Sequence, residues 1–171
     1  NLWDVLTVNA ALIHDSDHAR EAPATGQRIG DTVTVAGDVV LAGNVRVGPN
    51  ATLNGATAIG SNVTVAANAV VENSVVFPDA VIGPGAVVRD AVVAGNAQIG
   101  SNATVTGGLS TVVVGDAVHR DVTLGGVVGD NASIGGGATL TDGAVVGDGV
   151  RADAGVVLDG RVESGAVVRR G

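Results

Sequence analysis

Aliphatic side chains recur at every sixth position along most of this chain. In the stretch "IGSNVTVAANAVVENSVV", residues 59–76, the positions Ile59, Val65 and Val71 stand six residues apart. An amphipathic helix repeats its apolar positions about every 3.6 residues, and a half-buried strand repeats them every second residue. A period of six fits neither element, so the pattern indicates short strands that are each followed by a corner.

Twenty such anchor positions can be followed from Ile29 to Leu158. Two steps are five residues long, from Phe77 to Ile82 and from Val88 to Val93. The anchors are Ile29, Val35, Leu41, Val47, Leu53, Ile59, Val65, Val71, Phe77, Ile82, Val88, Val93, Ile99, Val105, Val128, Ile134, Leu140, Val146, Ala152 and Leu158.

The residues between the anchors also repeat. After Val47, for example, Gly48, Asn50 and Ala51 occupy the first, third and fourth positions. This is the hexapeptide pattern of a parallel β-helix, in which three strands make one triangular coil. The anchor and the small residue fill the interior, while Gly and Asn tolerate positive φ at the corners. The predicted fold is therefore all-β, a parallel β-helix of six to seven coils, and repeats of this kind imply a left-handed winding.

The first 28 residues lie outside the period. Leu2, Leu6, Asn9 and Ile13 share one face, with Trp3 nearby, which predicts a short N-terminal helix. The polar stretch "HDSDHAREAPATGQR" that follows is typical of a linker. We therefore divide the chain into a helix and linker at 1–28 and a β-helix domain at 29–171.

The period also breaks at residues 106–127. Two β-like runs, Thr111 to Val114 and Asp121 to Leu124, flank the sequence "GDAVHR". The pattern predicts a hairpin-like loop that leaves the β-helix surface. Long insertions into compact repeats often carry function.

Composition narrows the class of protein. The chain has 171 residues and no Cys, which excludes disulfides and thiolate metal sites. Trp3 and Phe77 are its two aromatic residues, so the core must be aliphatic. No run approaches the roughly 20 apolar residues of a membrane span, and no signal-peptide pattern opens the sequence. We expect a soluble protein of the cytoplasm, without a membrane partner.

The charge balance is acidic. Seventeen Asp and Glu face nine basic residues, all of them Arg, and the formal net charge is −8. The pattern fits an ordinary solvated surface or adaptation to a salt-rich, halophilic cytoplasm, and the absence of Lys favours the second. Nucleic acid is not an expected partner, because phosphate contacts need a basic patch.

The sequence resembles a known enzyme family at both ends. The helix "NLWDVLTVN" matches at Trp3, Asp4, Leu6 and Asn9 a helix that precedes the C-terminal β-helix of archaeal-type sugar-1-phosphate nucleotidylyltransferases. That group includes glucose-1-phosphate thymidylyltransferase and the bifunctional N-acetylglucosamine-1-phosphate uridylyltransferase. The late stretch "GGVVGDNASIGGGATLTDGAVVGDG" resembles the closing coils of the family, which follow an inserted loop.

The resemblance implies a two-domain parent that forms homotrimers. Its N-terminal nucleotidyltransferase domain would use Mg²⁺ to transfer a nucleotidyl group from a nucleoside triphosphate to a sugar 1-phosphate, releasing pyrophosphate. That domain opens with a Gly-rich, Arg-containing phosphate loop, and this sequence has none. We therefore expect the chain to be part of a longer enzyme, without nucleotidyl transfer of its own.

Acetylating members of the family imply a second site. They use a His base on the coil before the loop, with a Tyr and an Asn, and Lys residues hold the sugar phosphate and coenzyme A. The corresponding stretch here, "VVRDAVVAGNAQIGSN", has Arg89 and Asp90 in place of His and Val92 or Val93 in place of Tyr. An amine attacking a thioester needs a base with a near-neutral pKa. The acetyl-transfer site is therefore interpreted as degenerate.

Several residues remain candidates for chemistry. His119 could be a base with Arg120 as an anion clamp, although an exposed loop His is the simpler interpretation. Asp90 is the other candidate catalytic residue. The further candidates are Arg89 and Asn131 for substrate, and Gly129 and Gly135 for a coenzyme A groove, where ordinary corner chemistry is the simpler interpretation.

Metal binding is not predicted. His14 and His18 have a helical i,i+4 spacing with Asp15 and Asp17 between them, but the segment has the character of a solvated linker. Carbonic anhydrases with this fold need three His from adjacent coils. The sequence has three His in all, two of them in the linker.

Three functions follow from these observations. The favoured one is an oligomerising or regulatory β-helix domain of a sugar-1-phosphate nucleotidylyltransferase. The first alternative is an active sugar acyltransferase that uses acetyl-CoA in the cleft between adjacent β-helices. The second is a purely structural β-helix scaffold.

Overall fold

The computed structural model describes residues 2–15, 25–114 and 116–171. It begins with a helix, α1, at Leu2–Asp15, which confirms the predicted N-terminal helix. Asp4 lies in the first turn of α1 and His14 in the last, an arrangement that suits the helix dipole. In the described part of the chain, twenty-four strands follow, from β1 at Arg28–Ile29 to β24 at Val167–Val168.

Three parallel sheets form the sides of the β-helix. The first face contains eight strands: β1 (Arg28–Ile29), β4 (Arg46–Val47), β7 (Thr64–Val65), β10 (Val81–Ile82), β13 (Gln98–Ile99), β18 (Ser133–Ile134), β21 (Arg151–Ala152) and β24 (Val167–Val168). The second contains seven: β2 (Thr34–Ala36), β5 (Thr52–Asn54), β8 (Val70–Glu72), β11 (Val87–Arg89), β14 (Thr104–Val105), β19 (Thr139–Leu140) and β22 (Val157–Leu158). The third also contains seven: β3 (Val39–Leu41), β6 (Thr57–Ile59), β9 (Val75–Val76), β12 (Ala91–Val93), β17 (Gly126–Val128), β20 (Ala144–Val146) and β23 (Arg161–Val162).

This is the predicted all-β fold, a left-handed parallel β-helix with one short N-terminal helix. Each strand pairs with the equivalent strand one coil later, as Arg28 does with Arg46 and Arg46 with Thr64. The eight strands of the first face give about eight turns, so the predicted six to seven was too low. Strands β23 and β24 lie beyond the last predicted anchor, where a shorter step from Leu158 to Val162 shifts the six-residue phase.

Most anchors point into one continuous core, as predicted. Leu53, Val65 and Val71 are fully buried. Ile29 and Val35 are exposed because they belong to the first coil, whose open end is covered by no further coil among the described residues.

One predicted anchor was wrong. Phe77 is 43% exposed, whereas Val76 is 1% exposed. Val76 pairs in register with Ile59 and Val93, so the five-residue step lies between Val71 and Val76.

The corners confirm the predicted role of Asn and correct the one predicted for the glycines that directly follow anchors. The recurring Asn residues adopt the left-handed conformation, with φ of 59° at Asn50 and 60° at Asn68. Gly48 does not have a positive φ; a Cβ at this position would lie 2.6 Å from the backbone nitrogen of Ala67 in the next coil. The glycines that directly follow anchors are therefore required by close stacking of the coils.

The predicted loop is a hairpin of β15, Leu109–Val114, and β16, Ala117–Thr123. Both strands are longer than the sequence indicated. Strand β15 begins at Leu109 instead of Thr111, and β16 includes residues 117–120 of the "GDAVHR" stretch. The coil resumes with β17 at Gly126, slightly before the predicted end of the insertion.

Helix α1 and the hairpin both pack on the third face. The helix contacts β6, β9 and β12. A second apolar cluster joins the hairpin residues Val112 and Leu124 to Val92 and Val127 of the face, and Trp3 and Leu6 of α1 pack against it. Within the described residues, no helix has the length and hydrophobicity to cross a membrane.

Candidate functional site

The most elaborate polar site lies where the hairpin leaves the coil. Asp90 follows β11 at the corner between the second and third faces, with a left-handed φ of 48°. Its backbone N–H donates to the carbonyl of Glu72 in the preceding coil, at 3.0 Å. Its own carbonyl accepts from the N–H of Gly125, at 2.7 Å. Asp90 thus connects the stack of coils to the segment that returns from the hairpin.

The carboxylate of Asp90 binds the other end of the insertion. It accepts hydrogen bonds from the backbone N–H of Gly108 and from the side chain of Asn73. Burial raises the pKa of Asp90 above its ordinary value, and the charge of Glu72 adds to the increase. The two hydrogen bonds and the positive charge of Arg89 act in the opposite direction without overcoming it.

A cleft of about 190 Å³ opens beside this carboxyl group. Three elements form it: helix α1, the corner column of the coils, and strand β16. Its lining residues are Leu6, Thr7, Ala10, Ala56, Asn73, Asp90 and Thr123. Polar groups therefore converge at a place where the chain brings together segments that are far apart in sequence.

Sequence reasoning found Asp90 but missed its partners. Gly55, Asn73 and Asp90 occupy the same corner in successive coils, each with positive φ. Their spacings of 18 and 17 residues match the coil length, so the repeat phase could have shown that they are neighbours. No such signal places Thr7 or Thr123 beside them, because the helix and the hairpin lie outside the repeat.

His119 lies on β16 and contacts Trp3 of α1. The ring centroids are 4.7 Å apart and the planes are inclined by 50°. His119 is half-buried. It stands four residues before Thr123, a separation of about 13 Å along a strand. Among the described residues, no hydrogen bond joins His119 to Asp90, so the two candidate catalytic residues are not a coupled pair.

The two candidate arginines lie on different elements. Arg89 ends β11 on the second face, and its Nε is 3.3 Å from Oε2 of Glu72. Arg120 is exposed on β16. The structure therefore gives Arg89 a structural partner and leaves Arg120 on the hairpin surface.

Asn131, Gly129 and Gly135 lie elsewhere on the coils. Asn131 is an exposed left-handed corner with φ of 56°. A Cβ on Gly129 would lie 2.6 Å from the carbonyl carbon of Gly147, and one on Gly135 would lie 2.5 Å from the nitrogen of Ala154. Close approach of adjacent coils thus accounts for both glycines, and a coenzyme A groove at these positions stays a prediction.

The histidine pair considered for metal binding is only partly described. Nδ1 of His14 lies 3.5 Å from Oδ2 of Asp38, and both side chains are exposed. His18 lies outside the described residues. In the part of the chain that is described, no group of three or more His, Asp or Glu side chains is arranged to hold a metal ion.

One protein family matches this sequence. The model of the GMPPB C-terminal domain family aligns with residues 35–125. The match begins in β2 and runs through the coils and the hairpin to the segment that rejoins β17. No curated protein matches the chain.

Solved structures resemble this chain to different degrees. PerB from Caulobacter crescentus, solved with CoA and GDP-perosamine, has 21% identity and a TM-score of 0.57, covering 82% of this chain and 52% of PerB. The acetyltransferase domain of PglB from Neisseria gonorrhoeae, solved with acetyl coenzyme A, has 18% identity and a TM-score of 0.40, covering 85% of this chain and 53% of that protein. A hexapeptide transferase family protein from Anaplasma phagocytophilum has 16% identity and a TM-score of 0.43, covering 82% and 78%.

The likeness to PerB bears on the fold alone. The chain spans about half the length of the PerB and PglB structures that it matches. Whatever those proteins bind is a property of those proteins, and the chemistry of this chain has to be argued from its own residues.

Proposed function

Because this chain belongs to the GMPPB C-terminal domain family, whose members are β-helices of nucleotidylyltransferases, we propose that it is the C-terminal oligomerising and regulatory domain of a sugar-1-phosphate nucleotidylyltransferase. The observation that carries this proposal is the family match, which includes the hairpin as well as the coils between β2 and the hairpin. The Mg²⁺-dependent transfer of the nucleotidyl group, with release of pyrophosphate, is assigned to a further domain.

The surroundings of Asp90 support a structural role for this residue. A general base for acetyl transfer must lie within hydrogen-bond reach of the attacking amine, and donors from the chain itself compete with the amine for a carboxylate. The carboxylate of Asp90 already accepts from Gly108 and Asn73, and its backbone holds Gly125. We therefore interpret Asp90 as the clamp of the hairpin and the acetyl-transfer site as degenerate.

The position of His119 supports the same interpretation. Its ring lies against Trp3, so it contributes to the contact between the hairpin and α1. Lys is absent from the whole sequence, which removes the side chains that the acetylating relatives are expected to use around coenzyme A.

Self-association is supported by apolar side chains on both elements that cover the third face. Val8 and Leu12 of α1 are 54% and 66% exposed, and Leu109 and Val113 of the hairpin are 66% and 63% exposed. Contiguous exposed apolar patches are a feature of protein–protein contact sites. We propose a homotrimer in which these surfaces lie against neighbouring copies.

Release of coenzyme A from acetyl-CoA tests the rival acyltransferase function. The chain is incubated with acetyl-CoA and glucosamine 1-phosphate at low and high salt, with Asp90→Asn as a companion variant. We expect no release above the protein-free rate at either salt concentration. Multiple turnovers that disappear in Asp90→Asn would overturn the proposal and establish an acyltransferase with Asp90 at its centre.

A further inference from the structure

Two arginines occupy equivalent positions in the first two coils. Arg28 opens β1 and Arg46 opens β4, and the two residues are paired in register on the first face. Backbones of adjacent strands lie about 4.8 Å apart. Both side chains are exposed, so two positive charges stand side by side on a protein whose formal net charge is −8.

Arg28 and Arg46 take part in no ion pair among the described residues. Like charges directly opposite each other on neighbouring strands are destabilising. The next residue of the same column, Thr64, is neutral. The described ion pairs of arginine involve Arg89 and Arg161, and within the described residues neither Arg28 nor Arg46 has a carboxylate within 4.0 Å. An anion that bridges both guanidinium groups would turn the repulsion into attraction.

The pair has a polar cleft on one side. Arg28, Arg46, Gly26, Asn44 and Asn62 line a cleft of about 320 Å³. The Nδ2 group of Asn44 donates to Oδ1 of Asn62, at 3.3 Å. Amide and guanidinium groups therefore share one surface, which suits the oxygen atoms of a phosphate group.

An apolar cleft lies on the other side of the same two arginines. It has a volume of about 380 Å³ and is also lined by Ile29, Gly30 and Gly48, with Val47, Thr64, Val65 and Ala66. Gly30 and Gly48 carry no side chain, so the floor here is flat. Ile29 is 43% exposed at its edge. A flat ring can lie on such a surface while a charged group attached to it reaches the arginines.

We propose that the first face binds a nucleoside diphosphate group at this place. The phosphates bridge Arg28 and Arg46, and the nucleoside lies over the shelf formed by Ile29, Gly30 and Gly48. Paired guanidinium groups match the oxygen geometry of phosphates, and ligand sites commonly combine apolar surface with a few convergent polar groups. This site is separate from the Asp90 cleft and does not depend on the outcome of the acetyl-CoA assay.

Calorimetric titration of the chain at low salt tests the proposal with three probes: uridine diphosphate, pyrophosphate and inorganic phosphate. We expect uridine diphosphate to bind more tightly than pyrophosphate, and inorganic phosphate to bind most weakly. Arg28→Gln and Arg46→Gln should each weaken binding by about tenfold, since each removes charge-assisted hydrogen bonds.

Arg151→Gln is the matched control. Arg151 opens β21 on the same face, but its neighbours in the column are Ser133 and Val167, so it has no adjacent arginine. Its replacement should leave the affinity unchanged. Absence of saturable binding, or equal losses in Arg46→Gln and Arg151→Gln, would overturn the site. Equal affinities for uridine diphosphate and pyrophosphate would overturn the nucleoside assignment.

Discussion

The carboxylate of Asp90 accepts a hydrogen bond from the backbone N–H of Gly108, at the entry of the hairpin. The backbone carbonyl of Asp90 accepts from Gly125, at the exit. A single corner residue therefore holds both ends of the insertion. This contact explains how a hairpin that lies outside the repeat keeps a defined position on the third face.

Removal of this carboxylate should loosen the hairpin. Asp90→Ala leaves Gly108 without its acceptor and places Ala in a left-handed conformation. We expect a loss of about 1–3 kcal/mol in the free energy of unfolding, with faster amide exchange across β15 and β16 than in the coils. Asp79→Ala is the control, because Asp79 is also a left-handed corner, with φ of 63°, and lies outside the hairpin. Equal exchange rates in the two variants would contradict the clamp.

The titration of Asp90 gives a pH-dependent prediction. Its pKa in the folded state is raised above the ordinary value of 3.8, so the native state binds the proton more tightly than the unfolded state. The contribution of Asp90 to stability is then fully present below pH 3.8 and decreases as pH rises to the folded pKa.

Chemical denaturation at a series of pH values measures this effect against Asp90→Asn, which has no titrating group at this position. Stability of the wild type relative to the variant should fall as pH rises from 3.8. If the stability of the wild type relative to the variant increased with pH over that range, the folded-state pKa of Asp90 would be lowered and not raised. Burial would then not be the largest influence on it.

The contact between Trp3 and His119 can be followed directly, because the sequence contains one Trp. Trp3 emission reports the docking of α1 against the hairpin. His119→Ala removes the ring 4.7 Å away, so we expect a red-shifted emission. His14→Ala, at the exposed far end of α1, should leave the spectrum unchanged. Identical spectra for all three proteins would mean that the contact is not maintained in solution.

Two glycine substitutions separate the two reasons for glycine in the coils. Gly48→Ala places a Cβ 2.6 Å from the backbone nitrogen of Ala67 and should cost about 3 kcal/mol through overpacking. Gly149→Ala meets no atom within 4 Å but has φ of 64°, and should cost about 1 kcal/mol. Urea unfolding measures both. A larger loss of stability for Gly149→Ala than for Gly48→Ala would show that positive φ, and not close stacking of the coils, is the main reason for glycine in the repeat.

The acidic surface predicts a dependence on salt. Twelve of the acidic side chains are exposed, leaving aside Asp15, Asp17 and Glu21, and their repulsion is screened as ionic strength rises. We expect the thermal midpoint to increase between about 0.1 M and about 2 M KCl. A midpoint that stays constant or falls over this range would remove the interpretation of halophilic adaptation.

The sequence contains most of the information about the coils and little about what covers them. Each hexad repeats the same local requirements, so Leu53, Val65 and Asn68 could be assigned from their phase alone. Phe77 was misassigned because a five-residue step can be placed on either side of it, and only pairing with Ile59 and Val93 resolves the choice.

The candidate site could be predicted only where it belongs to the repeat. Asp90 was found because alignment of the hexads places it, with Arg89, where acetylating relatives are expected to have a His. Its hydrogen bond to Gly108 and the contact of His119 with Trp3 join the coils, the hairpin and the helix, and no period relates those segments. Tertiary packing, and not local pattern, decides these contacts.

Sedimentation equilibrium of the purified chain tests the oligomerising role most directly. We expect a mass three times the 16.5 kDa of one chain, independent of protein concentration well above the dissociation constant. We also expect a shift toward smaller species when Leu12 and Leu109 are both replaced by Asp. A monodisperse 16.5 kDa species at all concentrations and salt conditions would rule out the proposed trimer.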